Sequence, residues 1–120
     1  MPWEFDNSKP IYVQLVEMLQ FKIISGELSI GEKLSSVRDL AEEAGVNPNT
    51  MQRALAELER QELVYAQRMS GRFATEDTAH IEEIRSEYAL NKIKELTSAL
   101  LQLGYKQDEL LELVQNSFGD

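Results

Sequence analysis

The sequence predicts a mainly α-helical chain with one small β-hairpin, divided into an N-terminal half over residues 1–75 and a helical tail over residues 76–120. Three observations carry this. Apolar residues recur every three or four positions along most of the chain, the period that gathers them on one side of a helix. Leu63-Val64-Tyr65-Ala66-Gln67 and Arg72-Phe73-Ala74-Thr75 break that period, and Met69-Ser70-Gly71 between them forms a tight connection, as in a hairpin. Beyond Thr75 the chain turns acidic while its apolar positions run on at helical spacing.

The first helix is expected to start after Lys9-Pro10, because proline suits a first helical turn. Tyr12, Leu15, Leu19 and Ile23 form its stripe, widened by Ile11 and Met18, and Ser25-Gly26 ends it. Glu27–Lys33 has no sustained period and reads as a connector. A short second helix begins at Ser35 or Ser36, either of which can cap backbone N–H groups, with Asp39 completing an approximate capping box. Val37, Leu40, Ala41 and Ala44 make its buried side, and Gly45 stops it by taking positive φ. The third helix has the plainest start: Asn47 as N-cap and Pro48 at the first helical position. Met51, Ala54, Leu55 and Leu58 give it an apolar face, opposite Asn49, Thr50, Gln52, Arg53 and Ala56. After the hairpin, Ile81, Ile84, Tyr88, Ile93, Leu96, Leu100 and Leu103 mark one long helix with a phase shift between Tyr88 and Ile93, ended by Gly104. A last helix carries Leu110, Leu111, Leu113, Val114 and Phe118.

Composition bounds the function. With 42% hydrophobic and 28% charged residues among 120, the chain is an ordinary globular protein with room for one core and a small appendage. No apolar run suits a bilayer span, and the start MPWEFDNSKP lacks the pattern of a secretion signal. Cysteine is absent, which excludes disulfides and thiolate chemistry and fits a cytoplasmic location. The net charge of −9 opposes binding to phosphates, but it is unevenly spread. Residues 1–32 carry a net −3, residues 33–73 six basic and six acidic groups for a net of zero, and residues 74–120 a net −6. A nucleic-acid surface therefore belongs in the central segment, with the acidic tail turned away.

Two short helices joined at a glycine, the second with an outward polar face, describe a helix-turn-helix. Ala41 is small where the helices cross, Gly45 takes the turn, and Met51 and Ala54 close the core between them. The hairpin that follows makes the unit a winged helix. In this light the stretch KLSSVRDLAEEAGVNPNTMQRALAELERQELVYAQRMSGRFA closely resembles the GntR family of bacterial regulators, and KPIYVQLVEMLQFKIISGELSIGEKL before it fits the same pattern. The short two-helix tail resembles the YtrA-type subfamily, whose members are short dimeric repressors, often of transporter genes.

The resemblance implies roles for particular residues. Arg38 matches the arginine that the family directs at DNA, with Ser36 beside it at a helix start. Asn47, Asn49, Thr50 and Gln52 match positions that touch bases or phosphates, and Arg53 is a candidate phosphate contact. Arg68, Ser70, Gly71 and Arg72 match the wing loop that approaches the minor groove. Their chemistry agrees: arginine can chelate guanine, asparagine or glutamine adenine, and threonine can meet phosphate or a thymine methyl. Four positions depart from the family pattern: Ser35 stands for a proline, Pro48 for a basic or hydroxyl residue, and Glu62 and Met69 for glycines. The implied outcome is an altered operator preference.

The tail's apolar residues exceed what a winged helix needs, so a second copy is the expected partner, through Ile84, Tyr88, Ile93, Leu96, Leu100, Leu103, Leu110, Leu111, Val114 and Phe118. The function expected is a dimeric repressor on a palindromic operator. A protein-binding adaptor that uses the acidic surface is the alternative. A small-molecule effector between the two halves is a further candidate partner, with Ala89–Lys92 a candidate hinge. No cofactor or metal is expected. His80 reads as a surface or cap residue, Glu42-Glu43 and Glu82-Glu83 as solvated faces, and Trp3, Phe5 and Tyr12 as a patch on the core edge. The chain has no Gly-x-Ser-x-Gly and no His-x-x-x-His pair, so hydrolase chemistry has no support.

Overall fold

The structure, a computed structural model, describes residues 3–119. Three helices come first: α1 (Ile11–Ile24), α2 (Val37–Ala44) and α3 (Pro48–Arg60). The hairpin β1 (Val64–Gln67) and β2 (Gly71–Ala74) follows, then α4 (Thr78–Gln102) and α5 (Gln107–Ser117). The chain forms two compact units, one up to Arg85 and one from Ser86 onward.

The core of the first unit is assembled from the predicted stripes. Leu15 and Leu19 of α1, Met51, Leu55 and Leu58 of α3, and Leu63 before β1 are almost wholly removed from solvent. Burial of each such side chain contributes about 1.5–3 kcal/mol. Ala41 and Ala54 are equally buried, and their small size lets α2 and α3 approach closely. Val37 is half-buried at the core edge, as are Trp3, Phe5 and Tyr12. Trp3 is held there by its indole N–H, which donates to Glu43 at 3.1 Å, and by the Lys22 ammonium 4.7 Å above the ring centre.

Local signals explain the helix ends. Ser36 Oγ accepts the Asp39 N–H at 3.1 Å, and Asn47 Oδ1 accepts the Asn49 N–H at 2.7 Å. At the end of α2, Gly45 takes φ of 72°, and two N–H groups turn back: Gly45 to the Glu42 carbonyl and Val46 to that of Ala41. The end of α3 repeats this geometry with Glu62 at φ of 62°, its N–H on Glu59 and that of Leu63 on Leu58.

The hairpin pairs Val64 with Ala74, Tyr65 with Phe73, Ala66 with Arg72 and Gln67 with Gly71. The Tyr65 and Phe73 rings stack with centres 5.5 Å apart. Leu63 and Thr75, expected within the strands, flank them, bound by the Thr75 N–H to the Leu63 carbonyl. The connection is Arg68-Met69-Ser70, one position earlier than expected, with Met69 at φ of 68° and the Ser70 N–H on the Gln67 carbonyl. Glu27–Lys33 is more than a connector. Lys33 bridges Phe73, Leu34 N–H donates to the Arg72 carbonyl at 2.9 Å, and Ala74 N–H donates to Glu32 at 2.8 Å. Main-chain pairing of this kind has no side-chain period, which is why the sequence pattern misses it.

The first turns of α4 belong to the first unit because Ile81 and Ile84 rest on its core. The first compact unit therefore runs on through Arg85. His80 secures this stretch: Asp77 Oδ1 accepts its backbone N–H, and its Nε2–H donates to the Gln61 carbonyl at 2.7 Å. Helix α4 runs without a break through Ala89–Lys92, the expected hinge. Within the second unit, Leu110 is buried and Leu100, Leu113 and Val114 are half-buried. Glu109 caps α5 by accepting the Lys106 N–H at 2.8 Å.

Candidate nucleic-acid interface

The crossing of α2 and α3 at Ala41 and Ala54 turns the polar side of α3 outward. Asn49, Gln52, Arg53 and Ala56 are exposed and Thr50 half-buried. Spacings of three, four and seven residues place Asn49, Gln52, Arg53 and Ala56 on one helical face. Arg38 stands exposed in the first turn of α2. Among the described residues neither Arg38 nor Arg68 has a carboxylate partner, so both guanidinium groups remain available to an anion.

The start of α2 and the base of the wing share one open groove of about 630 Å³, lined by Lys33, Leu34, Ser35, Ser36, Val37, Ser70, Gly71 and Arg72. Four predicted residues, Ser36, Ser70, Gly71 and Arg72, thus meet at one place. Lys33 and Ser35 join them and were absent from the predicted set. A signal for Lys33 existed, since it is one of six basic residues in the neutral central segment and lies three positions before the Ser36 cap. Its aliphatic stem runs close beneath the wing, so that a Cβ on Gly71 would come 3.2 Å from Lys33 Cε.

Three predicted contacts are partly occupied by the chain itself. Asn47 Oδ1 serves as the α3 cap, leaving its amide N–H₂ as the group free to face outward. The Arg53 guanidinium lies 4.5 Å above the Tyr12 ring centre, drawn toward α1 by a cation–π contact. Arg72 Nε donates to Glu59 Oε1 at 2.5 Å, an ion pair in which both side chains are largely covered. Met69, in contrast, is 100% exposed at the tip of the wing.

The pKa of Glu57, on the flank of α3, is lowered to about 2 by hydrogen bonds from Arg60 and Gln61. The Tyr65 phenol is raised by burial and by the nearby Glu76 carboxylate. Among the described residues no cluster of three or more His, Asp or Glu side chains has the arrangement of a metal site.

A helix-turn-helix with an outward polar face and an adjoining wing is the geometry by which many regulators read DNA, and residues 11–74 match the bacterial regulatory proteins of the gntR family. The chain belongs to the GntR family. It is 34% identical to YhcF of Bacillus subtilis, an uncharacterized HTH-type transcriptional regulator, over 91% of this chain and 90% of that one. It is 37% identical to the HTH-type transcriptional repressor YtrA of Bacillus subtilis over 59% of this chain and 55% of the repressor, so the YtrA-type likeness has a relative behind it. A GntR family transcriptional regulator from Listeria monocytogenes has the same fold, with a TM-score of 0.86 at 39% identity over 93% of this chain and 98% of that chain. The AraR DNA-binding domain, solved in complex with operator ORX1, matches 59% of this chain and 87% of its own at 25% identity and a TM-score of 0.53. This GntR-family chain is thus a DNA-binding transcriptional regulator and not an enzyme. Among its described residues, no helix is long and apolar enough to cross a membrane.

Proposed function

We propose that this GntR-family regulator is a dimeric repressor whose α3 enters the major groove of a palindromic operator while the wing follows the adjacent backbone or minor groove. The resemblance to YtrA-type regulators points to a small operon such as one for a transporter. One observation carries the reading: Arg38 and Arg68, without carboxylate partners among the described residues, stand on the elements flanking the polar face of Asn49 and Gln52. Charged donors then position the protein on phosphates, and the amide side chains read base edges. Support for a dimer comes from the apolar side chains left exposed in the second unit, among them Leu103, Leu111 and Phe118 at 74%, 70% and 79%. Of the residues expected at that interface, Ile84 rests on the winged core and Leu110 is buried in a single chain, so neither is part of the proposed contact.

The test is Arg38→Ala, measured by fluorescence anisotropy on a duplex that the wild-type chain selects from a random-sequence pool. Loss of one arginine contact should weaken binding by roughly tenfold or more, with sedimentation of the protein unchanged. Unaltered affinity in that variant would remove Arg38 from the interface. Wild-type binding should also fall steeply with salt, by about 0.9 in log–log slope for each phosphate contacted. A salt-insensitive complex, or capture of a protein partner with no retention of DNA, would favour the adaptor reading.

A further inference from the structure

We propose that Arg72 is a positioning residue, a strut that sets the wing against the DNA-reading helix, and that it does not itself contact phosphate. The inference rests on the reading of α3 and the wing as the DNA surface. Three features of the fold converge on this residue. Its guanidinium donates to Glu59 near the C-terminal end of α3. Its carbonyl accepts the Leu34 N–H at 2.9 Å, just ahead of α2. Its backbone lies in β2, paired with Ala66 across the hairpin. Arg72 therefore ties the wing to the end of α3 through its side chain and to the segment ahead of α2 through its backbone, and the bond to Glu59 competes with any phosphate for the guanidinium.

Charge gives the pair a second reason to exist. Glu59 lies seven residues after Gln52, with Ala56 between them, so the three occupy one stripe of α3. A carboxylate on the stripe that reads bases would repel the DNA backbone unless a cation cancels it. Arg72 supplies that cation at 2.5 Å. The strut thus orients the wing and silences an acidic group on the reading face together.

The direct-contact and strut roles separate in two variants that leave the net charge unchanged. Glu59→Gln with Arg72→Gln removes the ion pair, and Glu59→Arg with Arg72→Glu reverses it. Both are measured against wild type on the duplex selected from a random-sequence pool, across a series of salt concentrations, with thermal unfolding followed in parallel. The strut predicts that the glutamine pair binds roughly fivefold more weakly, the equivalent of one partly covered ion pair, at an unchanged salt slope. Hydroxyl-radical protection should fade only at the positions the wing covers. The reversed pair should recover most of the affinity, because the tie is rebuilt. A phosphate contact predicts instead a salt slope smaller by about 0.9 in the glutamine pair and still weaker binding in the reversed pair, whose wing now carries a carboxylate. Either of those results, or full affinity in the glutamine pair, overturns the strut. Should the glutamine pair fail to fold, the reversed pair decides by itself. If the wild-type chain selects no duplex at all, the DNA-surface reading fails and not merely the strut.

Discussion

Glu62 and Met69 hold backbone angles that L-residues disfavour, with φ of 62° and 68°. Left-handed geometry costs a residue with a Cβ about 1–2 kcal/mol, part of which glycine forfeits through its freer unfolded chain. Glu62→Gly should therefore stabilise the protein by about 0.5–1 kcal/mol in urea unfolding. The converse holds at Gly45, φ 72°, where a Cβ would meet nothing within 4 Å. Gly45→Ala should lose about 1 kcal/mol through backbone strain alone. Equal stabilities for Glu62→Gly, wild type and Gly45→Ala would show that these turns relax out of the left-handed region. The same contrast marks what was legible at this scale. Gly45 could be placed because glycine itself announces positive φ. Glu62 and Met69 stood out only against a family pattern, since nothing in glutamate or methionine signals such a backbone.

At the scale of the element, α3 combines a start fixed by Asn47 and Pro48 with an end fixed by side chains. Glu57 accepts from both Arg60 and Gln61, which hold its carboxyl at about 2, below the ordinary 4.5. A depressed folded-state value means the ionised carboxylate favours the folded state, so its stabilisation is complete above pH 4.5 and is lost as pH falls toward 2. Glu57→Gln should accordingly show a shallower fall of Tm across that interval than wild type. Identical slopes would mean the pair persists in the unfolded chain or contributes nothing. Helix existence and the buried faces of α1, α2 and α3 were readable because each follows from a 3.6-residue period and a cap. The ties between elements were not. The Lys33 bridge to Phe73, the His80 hold on Gln61 and the Arg72–Glu59 pair all join residues distant in sequence, with no local pattern. Of the candidate site, the outward positions of α3 follow from helix phase and the Ser36 cap from local chemistry, Arg38 entered through the family resemblance alone, and the inward turn of Arg72 follows from neither.

For the whole molecule the deciding quantity is the apolar surface that one chain leaves uncovered. In the second unit Ile93 and Leu96 are exposed three residues apart on one side of α4, and Leu103 is exposed just beyond its end. A charge of −9 makes copies of such a chain repel one another, but it does not remove the cost of hydrating this stripe. The proposed two-fold dimer would cover the stripe on both copies with one contact and bring two reading helices to one DNA site. Leu96→Glu places a carboxylate in the middle of the stripe without touching the winged core. Sedimentation should then change from dimer to monomer, while thermal unfolding of the first unit stays as in wild type. On DNA the consequence follows from effective concentration: linking two half-site contacts raises affinity by about 10²–10⁴. The variant should therefore lose roughly 100-fold or more on a duplex with both half-sites, and little on one with a single half-site. A Leu96→Glu chain that still sediments as a dimer would exclude this face of α4, and a monomeric variant that keeps its affinity for the paired half-sites would separate dimerisation from DNA reading altogether.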